Sequence, residues 1–329
     1  MGQKNENSLI NFKELARELH VSAMTVYRVL NNEPSVRPAT RQRVVEALNR
    51  YGYYAHKPSR KIRIIFDFSD HAYLQHYGMR LMQRLSHHEF ACVATDHRKN
   101  PAKFFDAAAE SDVIVYCSVP ENETVRRALE INPSIYQISI YTKCDADIII
   151  SSDNILGGAM AARHLHECGH SHIAVHLSEA HPTRFDRRSS FFAELHNLNP
   201  DCRIDYVEAR RGETMRDVFT RYFDSVDEMP TAIFFLAGEY SQIFYKAFIL
   251  NDKEGRFRNI SIMSYDRPED VIPEQPDAVQ FDRIEFLPQD ILDWTEFYIL
   301  NRPMMKHRTT VHTNIKPTLK ITGSVRRLK

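Results

Sequence analysis

Two groups of residues have the types and spacing to do chemistry. The first is Ser22, Ala23, Met24, Thr25, Tyr27, Arg28 and Asn31. An arginine fork matches a guanine edge or a phosphate, hydroxyl and amide groups bond either, and alanine or methionine offers apolar contact to a thymine methyl. Thr40, Arg41 and Arg43 follow at the start of another segment, where a helix N-terminus plus guanidinium suits phosphate. The second group is His164, His166, Cys168, His170, His172 and His176, which has the donor types of a metal site. On a helix, residues two apart point ~200° away from each other, so His164, His166 and Cys168 do not converge and no metal is expected. No GxSxG, HExxH, Walker or GxGxxG pattern occurs in its required context, so neither an enzyme nor a cofactor is expected.

The first group needs helices to position it. Phe12, Leu15, Ala16 and Leu19 lie on one helical face, with Asn11 as N-cap and Glu14 placed as in a capping box. The pattern breaks at His20-Val21. Ser22 caps a second helix with Val26, Val29 and Leu30 on its inner face, ended by Asn31-Asn32 and Pro34. A third helix has Pro38 in its first turn and Val44, Leu48 and Tyr51 inside, and Gly52 is placed to end it. Two short helices joined by a tight turn form a helix-turn-helix unit, whose second helix enters the major groove of DNA. The expected DNA contacts are Asn11, Ser22, Ala23, Met24, Thr25, Tyr27, Arg28, Asn31, Thr40 and Arg41, with Lys57 and Arg60 behind them on phosphates.

Charge agrees with that reading. The 329-residue chain is neutral overall, yet residues 1–61 carry eleven Lys/Arg against five Glu and no Asp. A basic head on an acidic body suits a head that meets a polyanion. Five scattered cysteines without CxxC spacing, no long apolar run and a polar start read as a cytoplasmic chain without a membrane span. The expected domains are a helix-turn-helix head over 1–53, a short basic linker over 54–61 and a two-lobed body over 62–329.

In the body, strand-like runs alternate with amphipathic helices. Strands are expected at Ile62–Phe66, Ala91–Thr95, Val113–Cys117, Ile135–Ile140, Ile173–Leu177, Ile204–Glu208, Ala232–Leu236 and Ile260–Met263. Helices are expected at Tyr77–His88, Asn154–Cys168 and Phe185–Leu195. Such alternation implies parallel sheets covered on both faces, and this length implies two doubly wound lobes with a ligand cleft at the strand C-termini.

The run from Val21 to Tyr53, "VSAMTVYRVLNNEPSVRPATRQRVVEALNRYGY", closely resembles the head of the lactose/galactose-repressor (LacI/GalR) family. Further on, "SSDNILGGAMAARHLHECGHSHIAV" (Ser151–Val175), "SIMSYDRPED" (Ser261–Asp270) and "NIKPTLKITGS" (Asn314–Ser324) are similar to that family's later landmarks. The resemblance implies a periplasmic-binding-protein-like α/β body with crossings near Asn154, near Asp282 and around 310–315. It implies a homodimeric transcription regulator, repression being the family default. Its partners would be a near-palindromic double-stranded operator and a small-molecule effector, a sugar or sugar derivative. By resemblance Ala23, Met24 and Arg28 are the base readers, and Arg187, Asp266, Asp70, His71, Tyr73, Asp153 and Phe281 are effector-site positions.

Four departures stand out. His20 replaces a turn glycine, and Tyr27 replaces a small serine. Tyr54–Lys61 is too short for the family's hinge helix and holds no leucine, so the minor-groove wedge is expected to be absent. Where the family has Asn-Asp after a strand, this chain has Ala237-Gly238, and Glu239 can replace the lost carboxylate. Two other readings compete: a sugar-processing α/β enzyme with a DNA-binding head, and a sensor whose head binds a protein.

Overall fold

The computed structural model describes residues 12–30, 35–50, 62–68, 72–85, 88, 90–141, 143–177, 182–210, 212–267, 278–302 and 310–328. The chain divides into two compact units. The first comprises residues 1–62 with 297–308, and the second comprises residues 63–296 with 309–329.

The first unit holds α1 (Phe12–Glu18), α2 (Ala23–Leu30) and α3 (Pro38–Arg50). Leu15, Ala16 and Leu19 of α1 and its exit, Val26 and Val29 of α2, and Val44, Val45, Ala47 and Leu48 of α3 form one buried cluster. These are the inner-face positions that the helical period picks out. The turn between α1 and α2 is a Schellman motif. The Val21 amide bonds Ala16 O at 2.9 Å and the His20 amide bonds Arg17 O at 3.1 Å. Such a turn needs a left-handed residue, and His20 supplies it at φ 52°. Val21 packs onto the cluster, as this motif's apolar contact requires.

The second unit contains two parallel-dominated sheets. The first runs β11-β5-β4-β3-β1-β2 and the second β12-β10-β9-β8-β6-β7. The first lobe comprises β1 (Arg63–Phe68), α4 (Ala72–Leu85), β2 (Ala91–Thr95), α5 (Pro101–Glu110), β3 (Val113–Cys117), α6 (Asn122–Ile131), β4 (Tyr136–Ile140) and β5 (Ile148–Ser152). The second comprises α7 (Asn154–Glu167), β6 (His172–Leu177), α8 (Pro182–Leu198), β7 (Arg203–Glu208), α9 (Met215–Ser225), β8 (Ala232–Phe235), α10 (Gly238–Phe244) with a π turn over Tyr245–Ile249, β9 (Ser261–Tyr265) and β10 (Asp282–Glu285). The chain then returns through α11 (Pro288–Asn301) to β11 (Val311–Ile315) in the first sheet and β12 (Thr318–Lys320) in the second. Among the described strands, β12 alone pairs antiparallel, with β10.

Both faces of the second sheet are covered. Ile173, Val175 and Phe234 pack with α7 and α8, while Ala174, Ile233 and Phe235 pack with α9 and α10. That alternation is the strand period of two, read between two helical layers. The three crossings fall after Ser152, after Glu285 and after Ile315. The first matches the position expected near Asn154. The second comes later than expected, because Asp282 opens β10 inside the sheet. The Asp153 amide donates to Ile315 O at 2.8 Å, tying the first crossing to the third.

Candidate functional site

The second helix of the head is built from its cap upward. The Ser22 hydroxyl accepts from the Thr25 amide at 3.0 Å and lies 2.8 Å from the Thr25 hydroxyl. Ser22 therefore caps α2, and both hydroxyls have local work. With Val26 and Val29 turned into the core, Ala23, Met24 and Arg28 are left on the exposed face, Met24 at 58% exposure. The exposed methionine on the first turn is what an apolar base contact requires. Thr40 and Arg41 lie half-buried in the first turns of α3. Arg43 has a structural role: its guanidinium donates to Leu19 O at 2.9 Å and closes the end of α1. Asn11, Asn31, Lys57 and Arg60, the whole segment Tyr54–Lys61 and the Tyr27 side chain lie outside the described residues.

A second polar cluster gathers in the body where β8 and β9 end and α8 begins. Arg187 is buried at its centre. Its two Nη atoms grip the Asp266 carboxylate at 3.0 and 3.1 Å, Nη1 also donates to Leu236 O at 2.7 Å, and Nε donates to Asn154 Oδ1 at 2.8 Å. The guanidinium lies over the Tyr265 ring, 3.6 Å from its centroid. A planar fork fits a carboxylate in this bidentate way, and the aromatic face offsets part of the cost of burying the charge. Asp266 holds its end of the pair in left-handed backbone, at φ 62°.

Two glycines set the approach. A Cβ on Gly157 would collide with the Tyr265 hydroxyl, and one on Gly158 would collide with the Arg187 carbonyl and the Ser190 hydroxyl. The Gly-Gly pair therefore lets α7 press against β9 on one side and α8 on the other, which puts Arg187 between Tyr265 and Asn154. Beside this pair, Arg184 Nη2 bonds Glu239 Oε1 at 2.9 Å, and the Arg184 guanidinium sits 5.4 Å from the Tyr240 ring centroid. Burial pushes the Glu239 carboxyl up and outweighs Arg184, which pulls it down. Burial also pushes the Tyr265 hydroxyl up to about 12.

The structure thus brings Arg187, Asp266 and Glu239 to one end of the second sheet. Asp153 stands at the lobe crossing as the N-cap of α7, accepting from the Leu156 amide at 2.9 Å. Phe281 is not with them. It is buried just before β10, at the opposite end of that strand, packed with Tyr245 in the core under α9 and α10. An aromatic one residue earlier than a strand faces the strand's start, so the cleft end lies beyond its reach. Asp70, His71 and the side chain of Tyr73 lie outside the described residues. Sequence reasoning missed Arg184 and Tyr265 and named Asn154 as a lobe-crossing landmark. Asp153 takes the cap and frees Asn154 for Arg187. The Asp-Asn order before Gly157-Gly158 was the available signal.

The histidine-rich stretch resolves into separate pairs. His164 lies 2.8 Å from Asp282, His170 2.9 Å from Thr231 and His172 2.7 Å from Asp205. Among the described residues, no group of His, Cys, Asp and Glu is placed to hold a metal ion. No helix among them is long and apolar enough to cross a membrane.

A helix-turn-helix unit and a body of two parallel α/β lobes, crossed three times, define a periplasmic-binding-protein-like fold preceded by a helical head. Comparison with known proteins gives the same class. The sequence pattern described as "Bacterial regulatory proteins, lacI family" matches residues 11–56. The sucrose operon repressor of Escherichia coli is 46% identical over 55 residues, 17% of this chain and 17% of that protein. The catabolite control protein A of Priestia megaterium is 46% identical over 44 residues, 13% of each chain. The chain thus matches 17% and 13% of the length of these two curated relatives, whose names are those of regulators. Among solved structures, the lac repressor dimer bound to operator and the anti-inducer ONPF aligns with TM-score 0.63 at 15% identity, over 97% of this chain and 100% of that one. A LacI family transcriptional regulator from Enterococcus faecium with bound ribose aligns with TM-score 0.64 at 16% identity, over 82% of this chain and 100% of that one. Residues 11–56 thus match the lacI-family pattern, and the body shares its fold with solved structures of that family's regulators.

Proposed function

We propose that this protein is a cytoplasmic, homodimeric transcription regulator that binds a near-palindromic operator through its head and a sugar or sugar derivative through its body. The observation that carries this reading is the exposed face of α2, with Ala23, Met24 and Arg28 outward and Val26 and Val29 locked into the core. One head spans only a few base pairs, so a two-fold pair of heads gives the specificity that one lacks. Repression is the sign carried by the sucrose operon repressors it resembles. The Arg187–Asp266–Asn154 cluster, with Arg184 and Glu239 beside it, is the effector-site proposal. The effector acts by binding the two lobe arrangements with different affinity, since only a differential affinity shifts an equilibrium.

The enzyme reading has one constellation to offer, Ser118, Asp67 and His97 at the strand ends of the first sheet. There the Ser118 hydroxyl donates to Asp67 Oδ2 at 2.5 Å, and the same oxygen lies 2.7 Å from His97 Nδ1. A nucleophilic serine needs the histidine as its base, with the carboxylate behind it. This order puts the carboxylate in the middle and does not support hydrolysis. The test is titration of a labelled random duplex at several salt concentrations. Binding that weakens steeply as salt rises supports phosphate contact. Absence of any DNA binding at low salt would contradict the proposal and favour a protein partner for the head.

A further inference from the structure

The two lobes of the body touch through side chains that neither the head nor the Arg187 cluster uses. Lys143 lies on the loop between β4 and β5 in the first lobe. Its Nζ reaches Asp186 Oδ2 on α8 in the second lobe, at 2.6 Å. The loop that presents Lys143 is pinned on both sides to its own lobe. The Tyr141 amide donates to Ile150 O at 2.8 Å, and the Asp145 amide donates to Asn122 Oδ1 at 3.0 Å. Tyr141 is buried in left-handed backbone at φ 70°. An aromatic residue holds that conformation only where its surroundings over-determine it, and such strain gathers at moving parts. Its surroundings are aromatic. The Tyr141 ring meets Tyr77 of α4 edge-on at 5.5 Å and Phe286, the first residue of the second lobe crossing, at 5.7 Å.

Asp186 is equally well placed on its side. It precedes Arg187, and the Asp186 carbonyl accepts from the Ser190 hydroxyl at 2.8 Å. One turn of α8 therefore carries three attachments: Arg184 to Glu239, Arg187 to Asp266 and Asn154, and Asp186 across the cleft to Lys143.

We propose that Lys143 and Asp186 form an interlobe latch that sets the resting spacing of the two lobes, with Tyr141 against Phe286 as its pivot. The inference rests on reading the body as a ligand sensor and adds how its site is regulated. A ligand that draws on Arg187 shifts the first turn of α8, moves Asp186 and releases or tightens the latch. The latch is exposed on the lysine side and half-buried on the aspartate side, so its strength is that of a partly screened ion pair. It biases a lobe equilibrium; it does not lock it.

The test reads lobe spacing directly and needs neither DNA nor an identified effector. In the full chain, Cys92 and Cys202 are replaced by serine, and spin labels are attached at the exposed positions Glu130 of α6 and Thr220 of α9. Pulsed electron resonance then gives the interlobe distance distribution for the unaltered latch, for Lys143→Glu, and for the swap Lys143→Glu with Asp186→Lys. Lys143→Met is a milder companion, and circular dichroism checks that each variant is folded. The latch predicts a longer or broader distribution in Lys143→Glu, with the open population raised roughly three- to five-fold. It predicts a smaller change in the same direction for Lys143→Met, and recovery in the swap. A distribution unchanged by Lys143→Glu, or a swap that stays as open as the single variant, overturns the proposal. Latch behaviour as predicted, together with no DNA binding in the separate salt titration of random duplex, would instead fault the functional reading.

Discussion

At the residue scale, two left-handed positions make opposite use of the same geometry. The end of α1 and the end of α7 are both Schellman motifs; α7 closes with His170 N to Leu165 O at 3.1 Å and Gly169 N to His166 O at 2.8 Å. Gly169 takes the left-handed site at φ 85°, while α1 places His20 there. A side chain in that region costs roughly 1–2 kcal/mol, part of which a glycine returns as lost chain entropy. His20→Gly is therefore expected to stabilise the head by about 0.5–1 kcal/mol, read as a higher melting temperature. Arg187 behaves differently, because its partners are buried. Arg187→Ala leaves the Asp266 carboxylate without its counter-ion and should destabilise the body by about 3–5 kcal/mol in urea unfolding. Arg187 was legible only through the family resemblance that the sequence carries. Its partner Asn154 was not legible, since a polar residue at a helix start looks like a cap until the neighbouring Asp153 is seen to fill that role.

The pH dependence also belongs to single residues. Burial holds the rings of His170 and His176 down, each to about 4, and for His176 the nearby Arg184 adds to the effect. The unfolded chain takes up these protons near pH 6.5, whereas the folded chain resists until about pH 4. Their contribution is present above pH ~6.5 and is lost progressively as pH falls toward 4. His176→Phe, which keeps the ring among Phe219, Phe235 and Tyr240, should flatten that fall. An unaltered acid profile in the variant would remove His176 from the account.

At the element scale, the decisive packing is that of α7 against α8 and β9. Gly158→Ala forces α8 away from α7, because the Arg187 backbone cannot yield as a flexible side chain would. The expected result is a loss of roughly 1–3 kcal/mol, measured by denaturant midpoint, and weakened effector response. Strand legibility differed sharply between β3 and β10. β3, buried along its whole length, reads as an apolar run and was placed residue for residue at Val113–Cys117. β10 reads Asp-Arg-Ile-Glu and looks like surface, yet Asp282 and Arg283 are buried. The reason is long-range. Burial alone would push the Asp282 carboxyl up, but the His164 ring and the amides of Thr322, Gly323 and Ser324 outweigh it and hold it far below the ordinary range. Partners 40 or more residues away cannot be read from a local pattern.

At the scale of the whole molecule, the alternation of strand and helix was enough to imply two doubly wound lobes, since each parallel pair needs a crossover helix. The order of the strands and the three crossings were less accessible, because the chain leaves the second sheet, returns to the first for β11 and comes back for β12. The central claim is that the exposed face of α2 reads an operator and that the body adjusts that reading. Within that claim, Arg28→Ala should weaken specific binding by about 1–3 kcal/mol and relax the preference at one position of each half-site. The most direct measurement is selection of bound duplexes from a random pool by the full chain, repeated with a panel of sugars. The account predicts an enriched near-palindrome with fixed half-site spacing, and recovery that changes with at least one sugar. A pool with no enriched sequence, or single half-sites whose recovery no sugar alters, would contradict it.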